Sequence, residues 1–204
     1  MGAQWSKLVG FFVFFAGIIL VCIVFGGYSS LHRSEGRIAS AQKVLLSSCQ
    51  ENINLLPELS ETIQNKEYKE ILAMIQKAAR QNNSLIKNLM SHDTPMDMGQ
   101  IKKLETAQNI LIKNIANLFI QIDQSRNINN IELFKTIKQK IFLAQDNISM
   151  AKSRYNMEVE YFNVRTKIFP GFIIAKIFGF DKEKYFSFSR DSMPESSAVF
   201  KIKA

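Results

Sequence analysis

The side chains that could do chemistry in this chain are few, and their spacing does not assemble them. His32 and His92 are the only histidines. A three-ligand metal site or a histidine-assisted nucleophile therefore lacks members. No glycine-rich phosphate loop occurs. Asp146, Glu158 and Glu160 share one helical segment, and Asp146 could in principle enter a carboxylate metal cluster. Such clusters use Glu-x-x-His pairs on facing helices, and the sequence has none. These carboxylates read as solvated or salt-bridged, so we expect no catalytic residue, no metal, no cofactor and no enzymatic activity.

The two cysteines, Cys22 and Cys49, are 27 positions apart. Across a helical segment that is about 40 Å, beyond disulfide reach. Cys22 follows the bulky Val21 and lies inside an apolar run that continues past it, unlike a lipoprotein cysteine. Cys49 reads as a small core hydrophobe.

The elements that would carry any site are helices. The 204 residues hold 47% hydrophobic side chains but only nine glycines and four prolines, with no period-two runs. The net charge of +8 is interleaved with acidic residues along the chain. Solvated helix faces explain it better than a nucleic-acid groove, and no nucleic acid is expected.

Residues 1–7 form a short flank. Residues 8–27 carry no charge, and as a helix about 30 Å long they match the hydrocarbon core of a bilayer. Trp5 and Tyr28 flank the run like interfacial anchors. A cleaved signal peptide is the competing reading, but the run is longer than a typical apolar signal region and no clear small-x-small cleavage site follows. Gly2 with Ser6 fits a myristoylation pattern that an adjacent span makes redundant. Arg33, Arg37 and Lys43 oppose Lys7 and the terminal amine, which favours a cytoplasmic domain. A periplasmic domain stays open.

Four stripes of one period follow. The first is Ile38, Ala41, Leu45, Ser48, Asn52, Leu55 and Leu59, with Pro57 expected to kink it and the two polar members to specify register. The second is Tyr68, Ile71, Ile75, Ala78, Asn82, Leu85 and Leu89, ending near Ser91. Turn chemistry at Asp93, Pro95, Asp97 and Gly99 leads to the third, Ile101, Leu104, Gln108, Leu111, Ile115, Leu118 and Ile122. The fourth has Asn130 as N-cap and runs Phe134, Ile137, Ile141, Ala144, Ile148, Ala151 and Tyr155. It continues after a stutter as Val159, Phe162, Thr166 and Phe169, and Pro170 should stop it. The fold class is all-α, a transmembrane helix followed by an antiparallel four-helix bundle over residues 28–186. The tail, residues 187–204, carries no stripe and is expected to be flexible.

Tyr155, Asn156, Val159, Asn163, Phe169, Pro170, Ala175, Gly179, Phe180, Tyr185 and Phe186 fall in the order and spacing of a known C-terminal signature. With Asn54, Leu55, Leu56, Pro57 and Leu59 upstream, the chain resembles the LemA family of bacterial membrane proteins. It departs where the family's paired arginines are Glu51 and Asn52, and where its Glu-Asn pair is Gln145 and Asp146, as in a divergent member. The resemblance implies a membrane-anchored antiparallel helical bundle, single-pass in the bacterial inner membrane, with no enzymatic activity to carry over.

Helix lengths place the signature. The first and last long helices, roughly residues 28–64 and 131–169, would be about 55 to 58 Å, against about 39 Å for the middle pair. Up-down-up-down order returns the last helix to the membrane. Residues 171–180, with Lys167, Lys176, Lys182 and Lys184 nearby, then either insert apolar groups among anionic headgroups or fold back to cap the core. Two functions remain. One is a scaffold that binds another membrane or envelope protein, or shapes the bilayer, with a homo-oligomer open. The other is a ligand-binding or sensory module using a cavity near Asn156 and Asn163.

Overall fold

A helix keeps a backbone donor at each step as long as no proline interrupts it, and the first one here continues until a proline removes that donor. In a computed structural model describing residues 2–63, 65–92, 94–125, 131–180 and Phe188, with side chains from residue 9 onward, α1 runs unbroken over Gly2–Asn54. Pro57 cannot donate to the carbonyl of Ile53, and α1 ends at the turn at Leu55. The chain resumes as α2 (Leu56–Thr62), with Pro57 in its first turn. A 3-10 turn at Lys66–Tyr68, capped by the Asn65 side chain accepting from the Glu67 N–H, leads into α3 (Lys69–Met90).

Asp97 and Gln100 then exchange hydrogen bonds, each side chain accepting from the other's backbone N–H at 2.7 and 2.9 Å. This reciprocal cap starts α4 (Met98–Ser125). The last long helix, α5, covers Ile131–Arg165, with Glu132 in its first turn. Asn130, the expected N-cap, lies outside the described residues. A short α6 (Gly171–Phe178) closes on Gly179, whose φ of +72° lets its own N–H and that of Phe180 both reach the Ala175 carbonyl. No strand occurs among the described residues.

Residues 9–23 of α1 are all exposed, and this helix is long and apolar enough to cross a membrane. Past it, α1 packs against α5, α3 and α6, α3 packs on α4, and α2 lies against α5. One core joins them, from Leu31 to Phe188. All seven expected positions of the α4 stripe are buried, and on α5 every expected position from Phe134 through Thr166 is buried.

Two expectations fail locally. The last helix ends at Arg165, not at 169, because Pro170 and the restricted residue before it leave the final turn as a bend in which Lys167 N–H bonds the Val164 carbonyl. Phe169 therefore leaves the stripe and is 71% exposed, and the Phe169–Pro170 peptide is cis. On α3 the inward position is Ile86, fully buried, while Leu85 is half-buried. A 3.6-residue helix drifts against a three-four pattern, and the stripe steps over by one residue.

Candidate functional site

The signature begins on α5 where its buried stripe meets α1. Tyr155 has no exposed surface, and its hydroxyl, buried with no hydrogen-bond partner, has its pKa pushed up to about 12 by burial. One residue on, the Asn156 amide does the work of a strand partner. Its Nδ2 donates to the carbonyl of Phe188 at 3.0 Å, and its Oδ1 accepts from the Phe188 N–H at 2.8 Å. The Phe188 ring, 2% exposed, sits edge-on to Tyr155 with centroids 5.5 Å apart. At Phe188, within the stretch expected to be flexible, the chain is thus docked; the rest of residues 187–204 lies outside the described residues.

Beside this contact is a buried cation. Lys152 is 1% exposed, with Nζ 5.6 Å from the Phe188 ring centroid. Burial lowers its pKa, offset in part by Cys49 and Glu105. Cys49, free and fully buried, has its thiol pushed up to about 12 by burial, with Lys152 pulling the other way. A thiol so held is protonated and unreactive at physiological pH. The group fills space at the α1–α5 seam.

The remaining signature residues mostly shape the chain. Val159 and Ala175 are buried, Pro170 caps α6 and Gly179 ends it. Asn163 accepts the Thr166 hydroxyl on its backbone carbonyl at 3.0 Å, while its side-chain oxygen is buried without a partner. Phe180 is half-buried against Tyr28, ring centroids 5.6 Å apart. Tyr185 and Phe186 lie outside the described residues. The amide of Asn156, being engaged by the backbone of Phe188, is closed to a ligand.

At the end of the apolar run, α6 lies along α1. Ile174, 1% exposed, occupies the space where a side chain on Gly27 would be, and Phe178 meets Tyr28 at 4.9 Å. The other face of α6 is open, with Phe172, Ile173, Ile177 and Phe178 between 40% and 64% exposed. Capping and an outward apolar face thus coexist on one helix. Gly171 follows from the same fold, since any side chain there would strike the carbonyl of Arg165.

Sequence reasoning missed Lys152, Tyr161 and Phe188. The Tyr161 ring lies between two guanidiniums, Arg37 at 4.7 Å and Arg165 at 4.5 Å, and Arg37 also pairs with Glu158 at 3.3 Å. The aromatic run Tyr185, Phe186, Phe188 interrupts a polar tail and was the available signal for Phe188. Nothing in a stripe pattern marks Lys152, which sits one position beyond Ala151. Among the described residues no group of three or more His, Cys, Asp or Glu is placed to hold a metal ion.

A family model described as the LemA family matches residues 32–200. No curated protein and no solved structure matches the chain.

Proposed function

Because the chain belongs to the LemA family, we propose that it acts without catalysis, as a scaffold or interaction protein held by one membrane-spanning helix in the bacterial inner membrane. Its α1, α3, α4 and α5 form an antiparallel four-helix bundle. Two ion pairs support that order, Arg37 with Glu158 at 3.3 Å and Glu58 with Lys140 at 2.8 Å, because positions rising along the first strand of the pair meet positions falling along α5. The excess of Arg33, Arg37 and Lys43 after the apolar run supports a cytoplasmic domain.

The observation that carries the interaction role is on the outside of α5. Leu143, Met150, Met157 and Val164 are seven residues apart and 58%, 62%, 63% and 49% exposed. One apolar position every seven residues, without the second apolar position per heptad of a coiled coil, makes a narrow apolar line on an open helix face, and methionine suits a surface that repacks against a partner. We infer that another membrane or envelope protein lays a helix along it; a second copy of this chain would use the same line.

A photocrosslinking residue replacing Met157 in the full-length protein in its own membrane tests this. We expect an adduct to a distinct protein, lost in a second variant carrying Leu143→Glu and Met150→Glu while the melting temperature stays within a few degrees of wild type. An adduct of twice the protein's own mass would make the partner a second copy. No protein adduct, or one that survives the charged variant, overturns the reading. A single cysteine at Ser192 in a cysteine-free variant, labelled by an impermeant maleimide only after lysis, is expected for a cytoplasmic domain, whereas labelling of intact cells reverses the orientation.

A further inference from the structure

The turn that ends α5 and the start of α6 leave a cavity against α1, of about 230 Å³. Gly27, Ser30 and Leu31 form one wall, and Arg165, Phe169 and Pro170 another. Its level is set by Gly27, the last residue of the apolar run, so the inference rests on the reading that this run spans a bilayer. The cavity then opens where lipid phosphates lie.

The two arginines on either side of Tyr161 differ in one respect. Arg37 has Glu158 as counter-ion, whereas Arg165 has no carboxylate partner among the described residues. Stacking on Tyr161 limits the freedom of the Arg165 side chain, so less entropy is lost when its planar fork binds two oxygens. In the cavity lining, Ile168 and Phe169 are 54% and 71% exposed. Arg33, Lys167 and Lys176 are exposed at the same end of the domain. An arginine that lines the cavity and has no carboxylate partner among the described residues, with exposed apolar groups beside it, fits an anion that carries apolar chains.

We propose that Arg165 and this cavity bind the phosphate of an anionic phospholipid, whose acyl chains run along Phe169 and Ile168. The site differs from general attraction by surface lysines because one guanidinium, positioned by Tyr161, provides the fork. Gly171 is part of the site, since the close approach of its backbone to the Arg165 carbonyl sets the turn.

The full-length protein in nanodiscs of phosphatidylcholine containing a minor fraction of phosphatidylglycerol provides the test, with retained lipid counted by native mass spectrometry after release into detergent. Wild type is expected to retain phosphatidylglycerol. Arg165→Gln should lower its retention about ten-fold, as for loss of a charge-assisted pair. Lys167→Gln, an exposed cation outside the cavity wall, should lower it less than about two-fold, and Arg165→Lys should fall between. Equal retention by wild type and Arg165→Gln, or equal loss in Arg165→Gln and Lys167→Gln, overturns the site. Inorganic phosphate that displaces the lipid without dependence on acyl chains would also overturn it, in favour of a free-phosphate site. Protein that washes out of the bilayer at alkaline pH would refute the membrane-spanning reading itself. Protein that stays inserted but shows no preference for phosphatidylglycerol refutes the lipid site alone.

Discussion

Asn82 on α3 and Gln108 on α4 bond to each other across the core, which satisfies the Asn82 amide but leaves Gln108 Oε1, like Asn83 Oδ1 on α3, buried without a partner. Asn82 Nδ2 donates to the carbonyls of Ala78 and Ala107, and its Oδ1 accepts from Gln108 Nε2 at 3.0 Å. Among the described residues α1 and α5 hold more of these unpartnered buried atoms, five against two. Both side-chain polar atoms of Asn52, the Gln145 amide nitrogen, the Tyr155 hydroxyl and the Asn163 side-chain oxygen have no partner. Amides that bond across a helix pair fix its register, because a slip would leave them buried and unpaired. Unmatched groups cost stability and fix nothing. The α3–α4 pair carries an amide bond from helix to helix, while the α1–α5 pair, which carries the apolar span and the signature, gives up more stability in its buried polar groups.

The largest test of that contrast is Asn82→Ala. It strands Gln108 in the core and should cost about 2 to 3 kcal/mol in chemical unfolding of the full-length protein in detergent. A loss under about 0.5 kcal/mol would show that this amide bond does not hold α3 to α4. Next, Asn156→Ala removes both bonds to the Phe188 backbone and should cost about 1 to 2 kcal/mol, with hydrogen exchange at Phe188 rising to the free-chain rate. Exchange that stays slow would show that ring packing alone holds the segment.

Cys49 gives a pH signature on the α1–α5 side. Its folded pKa of about 12 lies above the ordinary 9.0, so the folded state keeps a proton that the unfolded chain loses. The stability contributed is complete below pH 9.0 and is lost as the pH rises toward about 12. Between pH 8 and 10.5 the wild type should lose about 2 kcal/mol relative to Cys49→Ala, an effect read from paired urea unfolding curves. Parallel curves would mean that the thiol is solvated. The smallest expected effect has the opposite sign. Asn52→Leu removes two unpartnered polar atoms at nearly constant volume and should stabilise by up to about 1 kcal/mol. A loss as large as that of Asn82→Ala would erase the difference between the two helix pairs.

The α4 stripe was legible position by position, because a regular helix with one buried face leaves a 3.6-residue record in its apolar residues. The stop at Leu55 was equally legible, since proline carries its backbone rule wherever it occurs. Of the signature, Tyr155 and Val159 already stood on the inward stripe, yet nothing in the spacing said that Ala175 is core as well or that Asn156 holds a backbone segment 32 positions away. Phe169 looked like the next step of a stripe until the turn carried it outward.

The sequence by itself determined that the chain is helical, that its first helix is long and apolar enough to cross a membrane, and which face of each long helix turns inward. These follow from local rules of period, capping and proline, acting within about four residues. Only the tertiary structure decided that Phe188 closes over Tyr155, that Lys152 is buried beside Cys49, and that Tyr161 lies between Arg37 and Arg165. Those neighbours come from different elements, and no local period records which side chains of two helices meet.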